Sequence, residues 1–374
     1  MKSIKWSRYL NYMVIAAITV LFAIISFTGN LSFMDQLMLE RIAIAIILAT
    51  SLSMVVGFLG ELSLGHAGFM CIGAYIGGRI TTIIDTGDPD SHFAIIFAIL
   101  VGGAVAAIFG FIIGLPALRL KGDYLAIVTL AFGEIVRTLF REMPESFFGG
   151  QSGLATPRYN SGFIFIYCFG FVLLSLAIIQ NLMRSKHGRA ITSIRDNEIA
   201  SKATGINVTK YKLLVFTVSS FLAGVAGVLF SHTSNIVSHA SFDYNYSIEI
   251  LVMVVLGGMG SVNGAIIAAA VITFLNEKLA VTLTGDSAVL KDLIYALILI
   301  IIVIYNNAPA LRGFREKYNL RALINKIRKH DPSKEINDSG RWDVVPTKIS
   351  MNEVLSTDII VKESRSEKGD KEVK

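Results

Sequence analysis

Residues 42–60 read IAIAIILATSLSMVVGFLG, nineteen residues without one charged side chain. At about 1.5 Å of rise per residue, a helix of that length reaches about 28 Å, close to the thickness of a bilayer's hydrocarbon core. Inside lipid, every backbone N–H and C=O must be satisfied within the protein. A run this long and this apolar is therefore read as a membrane-spanning helix. Blocks of comparable length recur at about 10–28, 67–84, 93–115, 124–140, 163–183 and 213–231, with a last one at 290–305. The first block follows Lys2, Lys5 and Arg8, as a signal peptide would. It is too long for a signal core and lacks a small-residue cleavage site, so a retained span is expected. Over all 374 residues, 53% are hydrophobic and 17% charged, against about 25% charged in soluble domains. This excludes a disordered chain and disfavours a single soluble domain. The two cysteines, Cys71 and Cys168, sit in apolar blocks and offer neither a disulfide framework nor a zinc spacing.

Basic residues set the orientation. With the N-terminus in the cytoplasm, the inside segments hold twelve Lys/Arg, seven of them in the loop 184–212, and the outside segments hold six. The net charge of +6 is thus spread over membrane-flanking segments, and no nucleic-acid partner is expected. The tail 311–374 carries fifteen Lys/Arg and eleven Asp/Glu without a long apolar run. It is expected to be cytoplasmic and largely disordered, beside a transmembrane domain at 1–310.

These placements constrain the stretch 248–280, which is interrupted by Gly257-Gly258-Met259-Gly260-Ser261. To put the tail inside, the stretch must begin and end on the outside. A broken or re-entrant pair of helices turning near Gly257–Gly264 satisfies that parity; one long tilted span is the other reading. Non-helical backbone at membrane depth is tolerated where it is buried in protein or lines a wet cavity. Gly257, Gly258 and Gly260 are therefore candidates for a translocation path. The expected architecture is an all-α polytopic membrane protein of about 8–10 transmembrane helices, counting this broken segment.

Small residues spaced G-x-x-x-G occur at Gly73/Gly77, Gly110/Gly114 and Gly260/Gly264. The spacing serves close helix packing in spans of any function. Few charges lie at membrane depth. Glu134 has Arg137 three residues on, at the spacing that lets them pair. Glu61, Glu249, Glu40 and Arg41 lie near span ends. A proton-coupled carrier needs a buried, unpaired carboxylate, and Glu134 or Glu61 would have to supply it. His66 opens a span beside Gly65 and reads first as a hydrogen-bonded structural residue. No metal-ligand spacing, G-x-S-x-G elbow or phosphate loop is present in the sequence. The chain is thus expected to be no enzyme and to bind no cofactor.

In the loop 184–212, Ser193-Ile194-Arg195-Asp196 fits a helix-start pattern. It predicts a helix of about ten residues that carries Asp196 and Glu198 in its first turn and ends at Gly205. Ile194, Ile199 and Ile206 are expected to give it exposed apolar weight. Such a helix either docks in a partner's groove or lies on the bilayer.

The run Gly188-Arg189-Ala190-Ile191, Ile194 through Ala200, and Gly205 through Lys212 resembles the cytoplasmic loop of LivM-type permeases, membrane subunits of ABC importers for branched-chain amino acids. Leu62 through Phe69, Tyr124 through Arg137, Gly149 through Leu154, and Val255 through Ser261 with Gly264 are similar to four further stretches of that family, in the same order. The resemblance covers about residues 40–306. It implies a type II ABC-importer-like permease in a bacterial inner membrane, with both termini cytoplasmic. The implied partners are a LivH-type second permease, two cytoplasmic ATPases and an extracytoplasmic binding protein, besides the lipid bilayer. ATP and Mg would be bound by the ATPases. The resemblance assigns ATPase coupling to Arg195, Asp196, Asn197, Glu198, Ala200 and Gly205. Gly65, His66, Thr129 and Glu134 join the three glycines as candidates for the path. Glu61 departs from the uncharged Gln expected there. Rival readings are a permease for urea, another amino acid or a sugar, an ion-coupled carrier using Glu134, and a non-transporting scaffold.

Overall fold

The structure, a computed structural model, describes residues 32–84, 92–117, 120, 122–157, 161–234, 236–282, 296–297 and 300. The expected span at 10–28 and the tail 311–374 lie outside the described residues, as does the expected span at 290–305 apart from 296–297 and 300.

Helix α1 spans Phe33–Ser53 and runs on as a π-helical segment, Met54–Leu59. From Ile42 to Leu52 every residue is buried. A helix apolar on all sides belongs in the middle of a bundle, and α1 sits there. Around it come α2 (His66–Ile84), α3 (His92–Ala117), α4 (Asp123–Glu142), the short α5 (Glu145–Phe148), α6 (Ser161–Arg184), α7 (Lys186–Asp196), α8 (Glu198–Ala203), α9 (Val208–Thr233), α10 (Tyr244–Gly257) and α11 (Val262–Thr282). Strands β1 (Leu154–Ala155) and β2 (Ile236–Val237) pair antiparallel, Leu154 opposite Val237 and Ala155 opposite Ile236. Thr156 donates to the Ser231 and Ser234 carbonyls at 2.6 and 3.1 Å, fastening this ladder to the end of α9. The bundle therefore has a ladder end, and opposite it a loop end that carries α7 and α8.

Among the described residues, six helices are long and apolar enough to cross a membrane: α1 with its π-helical extension, α2, α3, α6, α9 and α11. α4 is 20 residues long but carries five charged residues, Asp123, Glu134, Arg137, Arg141 and Glu142. Its Leu125, Thr129, Phe132, Val136 and Phe140 are buried, while Tyr124, Ile127, Ile135 and Leu139 are exposed.

The segment 248–280 is broken, as its glycines predict, and its arms are unequal. α10 has 14 residues and α11 has 21. They pack antiparallel, closely enough that a Cβ on Gly257 would lie 2.5 Å from the Ala265 nitrogen. The turn between them meets α1, where a Cβ on Gly57 would lie 2.5 Å from the Gly260 nitrogen. α10 starts after the 3-10 turn His239–Phe242 at the ladder end, and α11 returns there: Glu277 pairs with Arg41 at 2.7 Å and Lys278 with Asp35 at 3.3 Å. The stretch thus begins and ends at one end of the bundle.

Candidate functional site

The loop between α6 and α9 is built from three successive caps. The Ser185 side chain accepts from the His187 and Gly188 amides and opens α7. Asn197, in extended conformation, accepts from the Ala200 amide at 3.0 Å and opens α8. Asn207 accepts from the Lys210 amide at 3.1 Å and opens α9. Each short polar side chain satisfies an amide that a helix start leaves without a partner. Gly205, at a φ of +85°, ends α8 in the left-handed region that costs other residues a steric clash.

Two expectations are corrected here. The helix predicted to start at Ser193 starts at Glu198. Ser193 lies inside α7 and donates to the Ala190 carbonyl at 2.8 Å. A capping pattern has no effect within a helix already running, and α7 runs because it buries Ile191 and Ile194 against the bundle. Ile194 is consequently no exposed apolar residue and Ile206 is half-buried, which leaves Ile199, 79% exposed.

One ion pair and one hydrogen bond hold this loop to the end of α1. Arg195 Nη1 donates to the Gly57 carbonyl at 3.0 Å, and its Nε and Nη2 reach Asp196 Oδ1 at 3.2 and 3.1 Å. Lys212 Nζ contacts Glu61 Oε1 directly and Glu198 Oε2 at 3.4 Å, while Lys202 takes Glu198 Oε1 at 2.9 Å. Lys212 is only 3% exposed. A buried ammonium is tolerated when carboxylates surround it, and here they come from two other elements. The hydrogen bond from Lys202, aided by the charge of Lys212, holds the Glu198 carboxyl down at about 2. A lowered carboxylate contributes stability above its ordinary value and loses it only as pH falls toward the folded one. The stability that Glu198 contributes should therefore be flat between about pH 5.5 and 8. A melting temperature that falls as pH drops through about 6, and does so equally in E198Q, would assign that titration to another group.

The path candidates fall in three places. Gly65, His66 and Thr129 meet where α2 crosses α4. The Leu64 amide donates to Thr129 Oγ1 at 3.0 Å, and a Cβ on Gly65 would lie 2.5 Å from the Thr129 carbonyl oxygen. His66 is 2% exposed, with Nε2 2.7 Å from Ser51 Oγ. Ser219 donates to the Ser51 carbonyl at 2.7 Å, and the Ala67 amide donates to Ser247 Oγ at 3.1 Å. His66 therefore sits where α1, α2, α9 and α10 join. Glu134 is on the other face of α4, paired with Arg137 at 3.3 Å, in an open groove with Ile135, Thr138, Leu139 and Glu142. Gly257, Gly258 and Gly260 form the α10–α11 turn. Of these, Gly260 belongs spatially with the coupling candidates: a Cβ there would meet Arg195 Nη1 and the Gly57 oxygen, each at 3.4 Å. At the ladder end, Arg41, Glu277, Glu249 and Asn276 line a cavity of about 280 Å³, with Asn276 donating to Glu249 at 3.1 Å.

Gly57 was not singled out by its sequence, and Lys212 figured only as one basic residue among twelve. The available signal was a lysine at the threshold of an apolar block, with an acid at the end of another.

A family model described as the permease component of the branched-chain amino acid transport system matches residues 34–303. The LivM high-affinity branched-chain amino acid permease of Salmonella typhimurium is 36% identical over 270 residues, 63% of this chain and 61% of that protein. The probable LivM permease of Methanocaldococcus jannaschii is 28% identical over 225 residues, 54% of this chain and 64% of that one. The ribose import permease RbsC of Escherichia coli K12 is 26% identical over 319 residues, 78% of this chain and 92% of that one. The chain thus spans about three-fifths of the length of the LivM relatives it matches. With the family model matching 270 of its 374 residues, the chain is a multi-pass membrane protein that belongs to the permease-component family of branched-chain amino acid transport systems.

Proposed function

We propose that the chain is a membrane-spanning permease subunit of an ATP-driven importer for leucine, isoleucine and valine, in a bacterial cytoplasmic membrane. In this reading the loop end and both termini face the cytoplasm, as the seven Lys/Arg of 184–212 favour. A second permease subunit, two ATPases and an extracytoplasmic binding protein complete the assembly, and ATP and Mg are bound by the ATPases. The observation that carries the reading is the loop itself. α8 is held to the bundle by the Glu198–Lys212 ion pair on one side and presents Ile199 to solvent on the other. A rigid helix with an apolar anchor suits docking in a partner's groove. Arg195, Asp196, Asn197, Glu198, Ala200 and Gly205 would form and shape that contact. The remaining candidates would adjoin the path. A zwitterionic solute with an apolar side chain needs a route with little charge, which suits these spans.

The test is co-purification from native membranes in mild detergent, then uptake in proteoliposomes with the cognate binding protein. Two ATPase chains, a second permease and ATP-dependent leucine uptake are expected. Uptake that persists without ATP and collapses with an ionophore would replace this reading by an ion-coupled carrier, against which the Glu134–Arg137 pair already weighs. Ribose, urea or another amino acid outcompeting leucine would keep the class and change the solute.

A further inference from the structure

We propose that Lys212 is a positioning residue for transport: it ties α8 to the π-helical end of α1, so that displacement of the loop is delivered to residues 54–61. This rests on the reading that the loop docks an ATPase.

Three elements converge on the Lys212 ammonium. Glu61 follows the π-helical segment, Glu198 opens α8, and Lys212 itself lies in the second turn of α9. At 3% exposure the ammonium has little water to fall back on, so moving either carboxylate away leaves a charge poorly compensated. α8 therefore cannot shift without drawing Glu61 along or losing that pairing. Arg195 grips the same target a second time, through the Gly57 carbonyl. Two cationic side chains thus join one loop to one five-residue stretch.

The stretch they hold is built to change. A π-helix has a wider turn than an α-helix, is rare, and recurs at functional positions. Here it ends at Gly60, at a φ of +80°, with the Glu61 amide donating to the Val55 carbonyl at 3.1 Å. An α-helical turn at the same place would hold a different register and rotate Phe58 and Leu59. The stretch also touches the α10–α11 turn, Gly57 against Gly260. A pull on residues 57–61 therefore reaches α1 and the broken segment together.

The experiment uses the full complex in proteoliposomes and reads solute taken up per ATP hydrolysed. K212M and E61A should lower that ratio about tenfold or more while ATP hydrolysis continues. K212R should restore most of it. Subunit stoichiometry and melting temperature, measured on each variant, separate coupling from assembly. Wild-type ratios in both K212M and E61A would overturn the proposal. A lower melting temperature with an unchanged ratio would also overturn it, leaving Lys212 a structural role. The underlying reading fails separately: if the wild-type chain holds no ATPase, the docking surface and the linkage fall together. If the wild type couples and the variants couple equally, only the linkage falls.

Discussion

Replacing Gly73 by valine should strongly destabilise the folded permease. Gly73 lies in α2 where it crosses α9, and the two backbones touch. A Cβ on Gly73 would lie 2.6 Å from the Gly224 Cα, and a Cβ on Gly227 would lie 2.9 Å from the Ala74 nitrogen. α3 joins the same crossing through Gly102, which faces the Gly73 carbonyl. The end of a flexible side chain can rotate aside, but a backbone cannot move without its helix. Inserting atoms into a packed core typically costs about 1–3 kcal/mol. With backbone on the far side, the upper end of that range is expected, and about 3 kcal/mol lowers the folded-to-unfolded ratio by more than a hundredfold. Association in lipid depends on such close approach, because lipid tails offer helices no hydrophobic drive to compensate. The measurement is the thermal midpoint in detergent together with the yield of folded protein. Gly170→Ala is the control, since a Cβ at Gly170 meets nothing within 4 Å and should leave both unchanged. A normal midpoint for G73V would mean that α2 and α9 do not cross at these glycines.

On the proposed importer reading, Ile199→Asp should cut ATP-driven uptake at least a hundredfold while leaving the bundle folded. Ile199 is the second residue of α8 and its side chain touches solvent rather than the core. An acidic group in the first turn of a helix interacts favourably with the helix dipole, by about 0.3–1 kcal/mol, so the substitution should firm up α8 rather than melt it. The same carboxylate, carried into an apolar groove, loses its hydration without a partner, a cost of several kcal/mol. Loss of uptake with a normal melting temperature, and with the ATPases missing from the purified complex, is the expected result. Ile199→Leu, which keeps the apolar bulk, should transport nearly as well. Full uptake by I199D would move the docking surface away from α8.

What the sequence made legible was short-range. The Glu134–Arg137 pair follows from two residues three apart on one helix, and the stop at Gly205 from a glycine after a run of helix formers. The glycine break in 248–280 was legible because its neighbours are apolar on both sides and parity required a return. The Ser193 start was misread for the same reason that local rules work at all. The pattern is a property of four residues, whereas α7 persists through it because Ile191 and Ile194 are buried by distant parts of the chain.

By itself, the sequence determined that the blocks at 42–60, 67–84, 93–115, 163–183 and 213–231 form helices long and apolar enough to cross a membrane, since that is decided within each block. It also determined where the glycine-marked break falls and which loop carries the basic charge. Only the tertiary structure decided what those segments hold together. Lys212 meets Glu61 across 151 positions, and Arg195 meets Gly57 across 138. Neither partner's spacing, propensity or periodicity encodes the other. Such pairs exist because helices crossing at glycines come close enough for side chains from distant parts of the chain to face each other away from water, where an ammonium requires a carboxylate.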